Sequence, residues 1–115
     1  MGLSKSQRRK LDIAVKLSEL SECKQRHGCA VFRGNRLLSV GFNKSHTNNK
    51  WLEGHELPHT THAEVDACKK VEDLTGCTIY VARIFRNGSE ALSRPCNACA
   101  KYLIDRGAKA VVYTT

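Results

Sequence analysis

A chain of 115 residues is long enough to bury a hydrophobic core in one domain without the help of disulfide bonds. Apolar residues make up 41% and charged residues 26%, and neither a membrane-spanning stretch of ~20 apolar residues nor a secretory leader is present, so we expect a cytoplasmic protein. The net charge of +8 favours a phosphorylated partner, either a nucleotide or a polynucleotide. The alternative is that the basic side chains serve only to keep the protein surface solvated.

The first predicted element is a helix over residues 4–22. Ser4 or Ser6 can cap its start. Apolar residues recur along it at helical spacing, namely Leu11, Ala14, Val15, Leu17 and Leu20. A basic run at residues 8–10 lies near its start, and we expect it to be a solvated face, with a nucleic-acid contact as the alternative.

Two apolar strands follow at residues 28–33 and 36–42. Gly34 and Asn35 separate them, and because this dipeptide readily adopts positive φ angles, the strands are predicted to form a hairpin. Asn43 comes directly after the second strand, where it is either a turn residue or a binding residue at the strand end.

A polar segment at residues 44–61 follows the hairpin. It is longer than a connection requires, and such segments inside compact domains are commonly functional. It carries His46, Trp51, His55 and His59. The histidines could hold a second metal ion, line a cavity mouth or be solvated, and Trp51 could stack on a base or anchor the segment to the core.

The second half of the chain alternates helix and strand. Helices are predicted at residues 62–74 and 96–106, and strands at 77–84 and 109–115. A connecting loop covers residues 85–94. Because a strand–helix–strand unit crosses over in the right-handed sense, the last two strands should be parallel. The order of elements predicts a three-layer α/β/α sandwich around a mixed sheet of four or five strands, in one domain over residues 1–115.

Three residues have the chemistry and spacing of a catalytic zinc site. Cys96 and Cys99 share one face of a predicted helix that follows Pro95, and His62 begins another helix. Catalytic zinc takes three nitrogen or sulfur ligands from the protein and leaves the fourth position to water. Glu64 lies two residues from the histidine, where an acid/base group for that water is needed.

Two other sites remain open for the same residues. A structural zinc site would need a fourth ligand, which His55 or His59 could supply, but it would leave Glu64 without a role. A redox pair of Cys96 and Cys99 would leave His62 unexplained. The remaining cysteines, Cys23, Cys29, Cys68 and Cys77, are predicted to be small buried hydrophobic residues.

The His-x-Glu at residues 62–64 and the Pro-Cys-x-x-Cys at 95–99 together form the signature of zinc nucleobase deaminases. On these motifs the chain resembles the cytidine deaminase superfamily, and the resemblance extends over roughly residues 28–115. It implies that Glu64 carries protons between water, the base and the leaving amine. It also implies a zinc cofactor.

The resemblance implies further binding roles as well. Asn43, at the end of the second strand, would hold the sugar of the substrate. The backbone of Ala63 and the region of Pro95 and Cys96 would orient the exocyclic group of the base. Members of the superfamily usually continue with a further helix and strand, so either the sheet has four strands or a partner covers its edge. We expect a homo-oligomer.

The substrate is open between three classes at this point. A free nucleotide or nucleoside, best deoxycytidylate, fits the sugar motif and the positive charge, with Arg83, Arg86, Arg94 or residues 44–46 as candidates for binding a 5′-phosphate. A polynucleotide carrying cytosine or adenine fits the basic run, although seven aromatic residues offer few stacking platforms. A nucleic-acid-binding module without activity would leave Glu64 unused.

Overall fold

The computed structural model describes residues 2–23, 25–45 and 60–115, which form helices and strands in alternation. The helices are α1 (Lys5–Ser18), α2 (Ala63–Cys68) and α3 (Asn97–Asp105). The strands are β1 (Arg26–Arg33), β2 (Arg36–Phe42), β3 (Lys44–Ser45), β4 (Thr60–Thr61), β5 (Cys77–Ile84), β6 (Glu90–Ala91) and β7 (Ala110–Tyr113). Among the described residues, no helix combines the length and the apolar character needed to cross a membrane.

Five of the strands form one mixed sheet in the order β2-β1-β5, with β6 and β7 both on the far side of β5. β7 runs parallel to residues 78–81 of β5, which confirms the predicted parallel pair. β6 pairs antiparallel with the last two residues of β5, inside the segment that was predicted to be a loop. β3 and β4 pair with each other at the two ends of the predicted 44–61 loop.

Helices cover both faces of this sheet, so the predicted three-layer α/β/α sandwich is confirmed. Successive side chains of a strand point to opposite faces of the sheet. Because helices cover both faces, apolar side chains of β1 and β5 are buried on each of them. The core under α1 contains Leu11, Ala14, Ala30, Phe32, Tyr80 and Ala82. The core under α2 and α3 contains Cys29, Val31, Ala63, Ala67, Cys68, Val71, Leu74, Cys77, Ile79, Val81 and Leu103.

Two glycines let the helices approach the sheet closely. A Cβ atom on Gly28 would lie 2.1 Å from the carbonyl oxygen of Ala14 in α1. A Cβ atom on Gly41 would lie 2.6 Å from the backbone nitrogen of Ala67 in α2, on the opposite face. Both contacts are with backbone atoms, which cannot rotate away as a side chain can. Only glycine fits at these two positions.

Helix α1 has the predicted cap but ends earlier than predicted. The Ser4 hydroxyl accepts a hydrogen bond from the Gln7 N–H, and the Gln7 side chain accepts one from the Ser4 N–H, which is a capping box. The helix stops at Ser18 and not at residue 22. Beyond it, the Ser21 hydroxyl donates to the carbonyl of Asn43, so the chain turns back towards the sheet.

The basic run of α1 is less solvated than predicted. Lys10 is buried, and its Nζ donates to the carbonyl oxygen of Gly34 at 3.0 Å. The guanidinium of Arg8 binds Asp12 and Glu90. Of the three residues, Arg9 keeps the exposed position that was expected for all of them.

Helix α2 is six residues long and not the thirteen predicted, because it ends at Cys68. His62 is its N-cap and precedes the first helical residue. Arg106 donates hydrogen bonds to the backbone carbonyls of Cys68 and Val71. In a longer helix these carbonyls would accept from backbone N–H groups of the next turn. Val71 and Leu74 are nevertheless buried, as the apolar pattern predicted.

Helix α3 also begins one residue later than predicted. Cys96 is its N-cap, and the Cys96 Sγ accepts a hydrogen bond from the N–H of Cys99 at 3.4 Å. Pro95 therefore lies before the cap and not in the first turn. β1 begins two residues earlier than predicted, and β7 is confined to Ala110–Tyr113, shorter than the predicted strand.

Candidate active site

The N-terminal ends of α2 and α3 bring three potential metal ligands together. The Nδ1 atom of His62 lies 3.1 Å from the Sγ atom of Cys99 and 3.9 Å from the Sγ atom of Cys96. One ligand atom from each residue lies within 4.8 Å of the other two. Residues 34 or more positions apart in the chain thus meet at one point, as the motifs predicted.

These separations are close to those of a zinc site. With Zn–N bonds of about 2.0–2.1 Å and Zn–S bonds of about 2.3 Å in a tetrahedron, a ligand nitrogen and a ligand sulfur stand about 3.6 Å apart. The two measured distances, 3.1 and 3.9 Å, lie on either side of that value. His62 and Cys96 are exposed, whereas Cys99 is buried, so the group opens to one side. Three protein ligands of this kind could hold zinc and leave one coordination position for water.

A buried hydroxyl pair fixes the segment that leads to Cys96. The Ser93 hydroxyl donates to the carbonyl oxygen of Val81 in β5 at 2.7 Å. The Thr114 hydroxyl lies 2.9 Å from that of Ser93 and accepts a hydrogen bond from the N–H of Arg83 at 3.1 Å. Since both hydroxyls are buried, these bonds anchor the approach to α3 on the edge of the sheet.

Glu64 lies beside the ligand group and is not one of its members. Its side chain is 5% exposed, and burial raises the pKa of its carboxyl, partly offset by a backbone N–H, by His62 and by a hydrogen bond with the Cys99 thiol. A carboxyl whose pKa is raised keeps its proton at a higher pH than one in water, which brings it closer to the range where acid/base catalysts work. The predicted acid/base group is therefore adjacent to the predicted ligands.

A cleft of about 420 Å³ opens in front of this group. It is lined by Cys23, Gln25, His27, Asn43, His62, Ala63, Glu64, Ser93, Arg94 and Cys96. No motif in the sequence marks Cys23, Gln25, His27 or Ser93 as wall residues. Burial, and then the charge of Arg83, lower the pKa of the His27 imidazole.

Asn43 lies in the wall of the cleft, but its amide is already bonded to the chain. Its Oδ1 accepts from the N–H of His27 at 2.9 Å, and its Nδ2 donates to the carbonyl of Gln25 at 2.6 Å. One N–H and one oxygen lone pair remain for a substrate. The sugar contact remains a prediction, now with a second role for Asn43 in joining β1 to the end of β2.

The other predicted binding residues differ in position. Ala63 is buried in the cleft wall, and Arg94 lines the cleft with an exposed side chain. Pro95 is half-buried and does not line it. Arg83 pairs with the wall residue His27 on the neighbouring strand and faces the ring of Phe85 at 5.7 Å, but it does not itself line the cleft. Arg86 is exposed in the turn after β5 and does not line the cleft either. His46, Trp51, His55 and His59 lie outside the described residues.

The remaining cysteines behave as predicted with one exception. Cys29, Cys68 and Cys77 are fully buried in the core under α2 and α3. The prediction for Cys23 is wrong, because Cys23 follows the end of α1, is half-buried and lines the cleft. Its thiol lies 3.7 Å from the carbonyl oxygen of Asn43.

Asp66 ties the site-bearing helix to the sheet. Its buried carboxylate accepts from the N–H of Phe42 at 3.2 Å and pairs with the Nζ atoms of Lys44 at 3.2 Å and Lys69 at 3.5 Å. Burial alone would raise the pKa of this carboxyl, but the hydrogen bonds from Lys44 and Phe42 outweigh it and lower the pKa below its usual value of 3.8.

We expect Asp66→Asn to reduce the free energy of unfolding by about 1–3 kcal/mol near neutral pH. A carboxylate whose pKa falls on folding stabilises the protein above its unfolded pKa, and this contribution is lost as pH falls through the folded pKa. The difference between the two proteins in urea unfolding should therefore shrink as pH falls below the usual carboxyl pKa of 3.8, and it should be smallest below the still lower pKa of the folded protein. Asp12→Asn, in an exposed ion pair, is the control. A difference independent of pH would contradict this.

Comparison with known proteins agrees with the geometry. The profile of the family described as "Cytidine and deoxycytidylate deaminase zinc-binding region" matches residues 4–115. The human and mouse deoxycytidylate deaminases are each 31% identical to this chain in an alignment of 98 positions, and the match covers 74% of this chain and 49% of theirs. The chain thus spans about half the length of the curated relatives it matches.

Solved structures share the fold. The dCMP deaminase of cyanophage S-TIM5, in complex with dCMP and dUMP, superposes with a TM-score of 0.73 at 22% identity, over 98% of this chain and 83% of that one. The cytidine deaminase of Mycobacterium leprae superposes with a TM-score of 0.63 at 19% identity, over 91% and 86% of the two chains. At these identities the likeness concerns the fold alone.

Proposed function

This chain belongs to the family of cytidine and deoxycytidylate deaminases, and we propose that it is a zinc-dependent hydrolase that removes the exocyclic amino group of a cytosine nucleotide. Water and cytosine would give uracil and ammonia. One observation carries this above all others: an imidazole and two thiols meet beside a buried carboxyl, and His62, Cys96 and Glu64 of this group line one cleft.

Each residue has a defined task in this reaction. His62, Cys96 and Cys99 would hold zinc, which when bound makes water a nucleophile near neutral pH. Glu64 would take one proton from the attacking water and deliver it to N3 of the ring as the water oxygen bonds to C4. It would then take the remaining proton of that oxygen and pass it to the exocyclic nitrogen, so that the C4–N bond breaks and ammonia leaves. The N–H of Ala63, in the first turn of α2, and the backbone near Pro95 and Cys96 orient the exocyclic group. Asn43 uses its remaining hydrogen-bonding capacity on the sugar.

Deoxycytidylate is the substrate that we propose within this class. The curated relatives at 31% identity are deoxycytidylate deaminases. The cleft also presents Arg94 at its wall with an exposed guanidinium, beside the buried Ser93. A guanidinium there can bind a 5′-phosphate through charge-assisted hydrogen bonds. Arg83 and Arg86 do not line the cleft, so Arg94 is the arginine that we propose for the 5′-phosphate.

The test is ammonia release from deoxycytidylate, deoxycytidine and a cytosine-containing single-stranded oligonucleotide by the zinc-loaded protein. We expect deoxycytidylate to have the highest kcat/KM. Arg94→Ala should raise KM for deoxycytidylate by about 10-fold or more, since a hydrogen bond to a charged group is worth about 1.5–3 kcal/mol, and should leave deoxycytidine unaffected. Arg86→Ala, an exposed arginine outside the cleft, is the control.

Turnover of the oligonucleotide alone would instead support a polynucleotide deaminase. That alternative relied on the basic run of α1, in which Arg8 is bound to Asp12 and Glu90 and Lys10 is buried against Gly34. Two of the three charges are thus already engaged within the protein. If none of the three compounds is deaminated while zinc is bound, the proposed activity is wrong.

A further inference from the structure

Arg106 connects the two helices that carry the candidate metal ligands. It is the C-cap of α3, whose opposite end holds Cys96 and Cys99. Its guanidinium extends across to the C-terminal end of α2, whose opposite end follows His62 and contains Glu64. The two helices are therefore joined by this side chain at one end and by the candidate site at the other.

Four hydrogen bonds hold the guanidinium, and three of them make this connection, since Tyr102 belongs to α3 itself. Nη1 of Arg106 donates to the carbonyl oxygen of Cys68 at 3.0 Å and to the hydroxyl of Tyr102 at 2.6 Å. Nη2 donates to the carbonyl oxygens of Val71 and, at 3.2 Å, of Glu72. The guanidinium also lies over the ring of Tyr102, 5.4 Å from its centre. A planar guanidinium with several fixed donors can satisfy this set of acceptors, whereas a lysine ammonium cannot match its geometry.

Helix α2 is short, and Arg106 holds its C-terminal end while Asp66 ties its middle to the sheet. Its six residues span only about 9 Å, so a displacement of one end is transmitted to the other. At the N-terminal end, the N-cap His62 makes no capping hydrogen bond with its side chain. At the C-terminal end, the carbonyl of Cys68 and those of the following turn are held by Arg106.

We propose that Arg106 is a positioning residue for the metal site. By holding the C-terminal ends of α2 and α3 together, it fixes the separation of His62 from the two cysteine thiols at the N-terminal ends. This role rests on the proposed function, since it presumes that zinc binds to these three residues. Arg106 itself contacts neither the ligands nor the cleft wall.

The experiment compares metal binding in Arg106→Ala and Arg106→Lys with that in the unaltered protein and in Leu11→Ala. Leu11 is buried in the core on the opposite face of the sheet, so its truncation lowers stability without touching α2 or α3. The measurements are zinc affinity by chelator competition, the absorption spectrum of the cobalt-loaded protein, which reports ligand geometry, and the urea unfolding midpoint of the metal-free protein.

We expect both Arg106 variants to bind zinc about 10-fold or more weakly, as is found when groups that orient metal ligands are removed, and to show an altered cobalt spectrum. Leu11→Ala should lose stability but keep the affinity and the spectrum. If Arg106→Ala does not fold, Arg106→Lys decides. Unchanged affinity and spectrum in the folded Arg106 variants would overturn the role of Arg106. Absence of metal binding in the unaltered protein would instead refute the proposed function.

Discussion

Replacing Glu64 with glutamine is expected to lower kcat by roughly 10²- to 10⁴-fold, the range that general acid–base catalysis contributes. The amide has nearly the volume of the carboxyl, so the buried site keeps its shape, but it cannot accept a proton from water and pass it to the base. Zinc content should stay at one ion per chain, because Glu64 is not among the three ligand residues. Glu64→Ala should show the same loss of turnover with zinc retained.

The measurement is steady-state deamination together with elemental analysis of the same preparations. Glu19→Gln is the matched control, because Glu19 is an exposed glutamate at the end of α1 and the same amide replaces the same carboxyl there. It should leave kcat unchanged. Undiminished turnover in Glu64→Gln would refute the proposed proton transfer. Loss of both zinc and turnover would make Glu64 a residue of the metal site instead.

Cys99→Ala is expected to abolish zinc binding at stoichiometric concentration and, with it, detectable deamination. The thiol of Cys99 is the buried member of the ligand group, and its removal leaves His62 and Cys96, which are both exposed. Two ligands do not make the three-ligand site of a catalytic zinc. Removing the metal from the unaltered protein with a chelator should cause the same loss of activity, and added zinc should restore it.

Cys77→Ala is the control for this variant. Cys77 is a fully buried cysteine at the start of β5 and does not belong to the ligand group. The same cysteine-to-alanine substitution is therefore made away from the site. We expect a modest loss of stability, of about 1 kcal/mol, and unchanged zinc content. Full activity in metal-free Cys99→Ala would show that the reaction needs no metal at this site.

The local sequence predicted the candidate site better than it predicted the helices that carry it. Ligand types and their spacing are local properties, so His62 with Glu64, and Cys96 with Cys99, could be recognised without knowledge of the fold. The end of α2 depends instead on Arg106, 38 positions away from Cys68, and no local pattern predicts that contact. The apolar stripe continued through Val71 and Leu74, which are buried, although the helix had ended.

The cleft wall was missed for a related reason. The two-residue turn at Gly34 and Asn35 places Arg33 opposite Arg36, and this pair would fix the register of the whole hairpin. An irregularity between Val31 and Phe32, however, shifts the pairing of the strands by one residue. Beyond this shift Gly28 pairs with Phe42, which brings His27 next to Asn43. Counting back from the turn without the shift would place a different residue there. The sequence offers no signal for such a bulge.

The glycines at positions 28 and 41 limit which substitutions the centre of the sheet can accept. They lie near each other on neighbouring strands, and the backbone of a helix presses on each, from opposite sides of the sheet. Three backbones are thus stacked at this point, with no side chain between them that could be trimmed to make room. A larger residue at position 41 would push α2 away from the sheet, and because α2 follows His62 and contains Glu64, the candidate site would move with it.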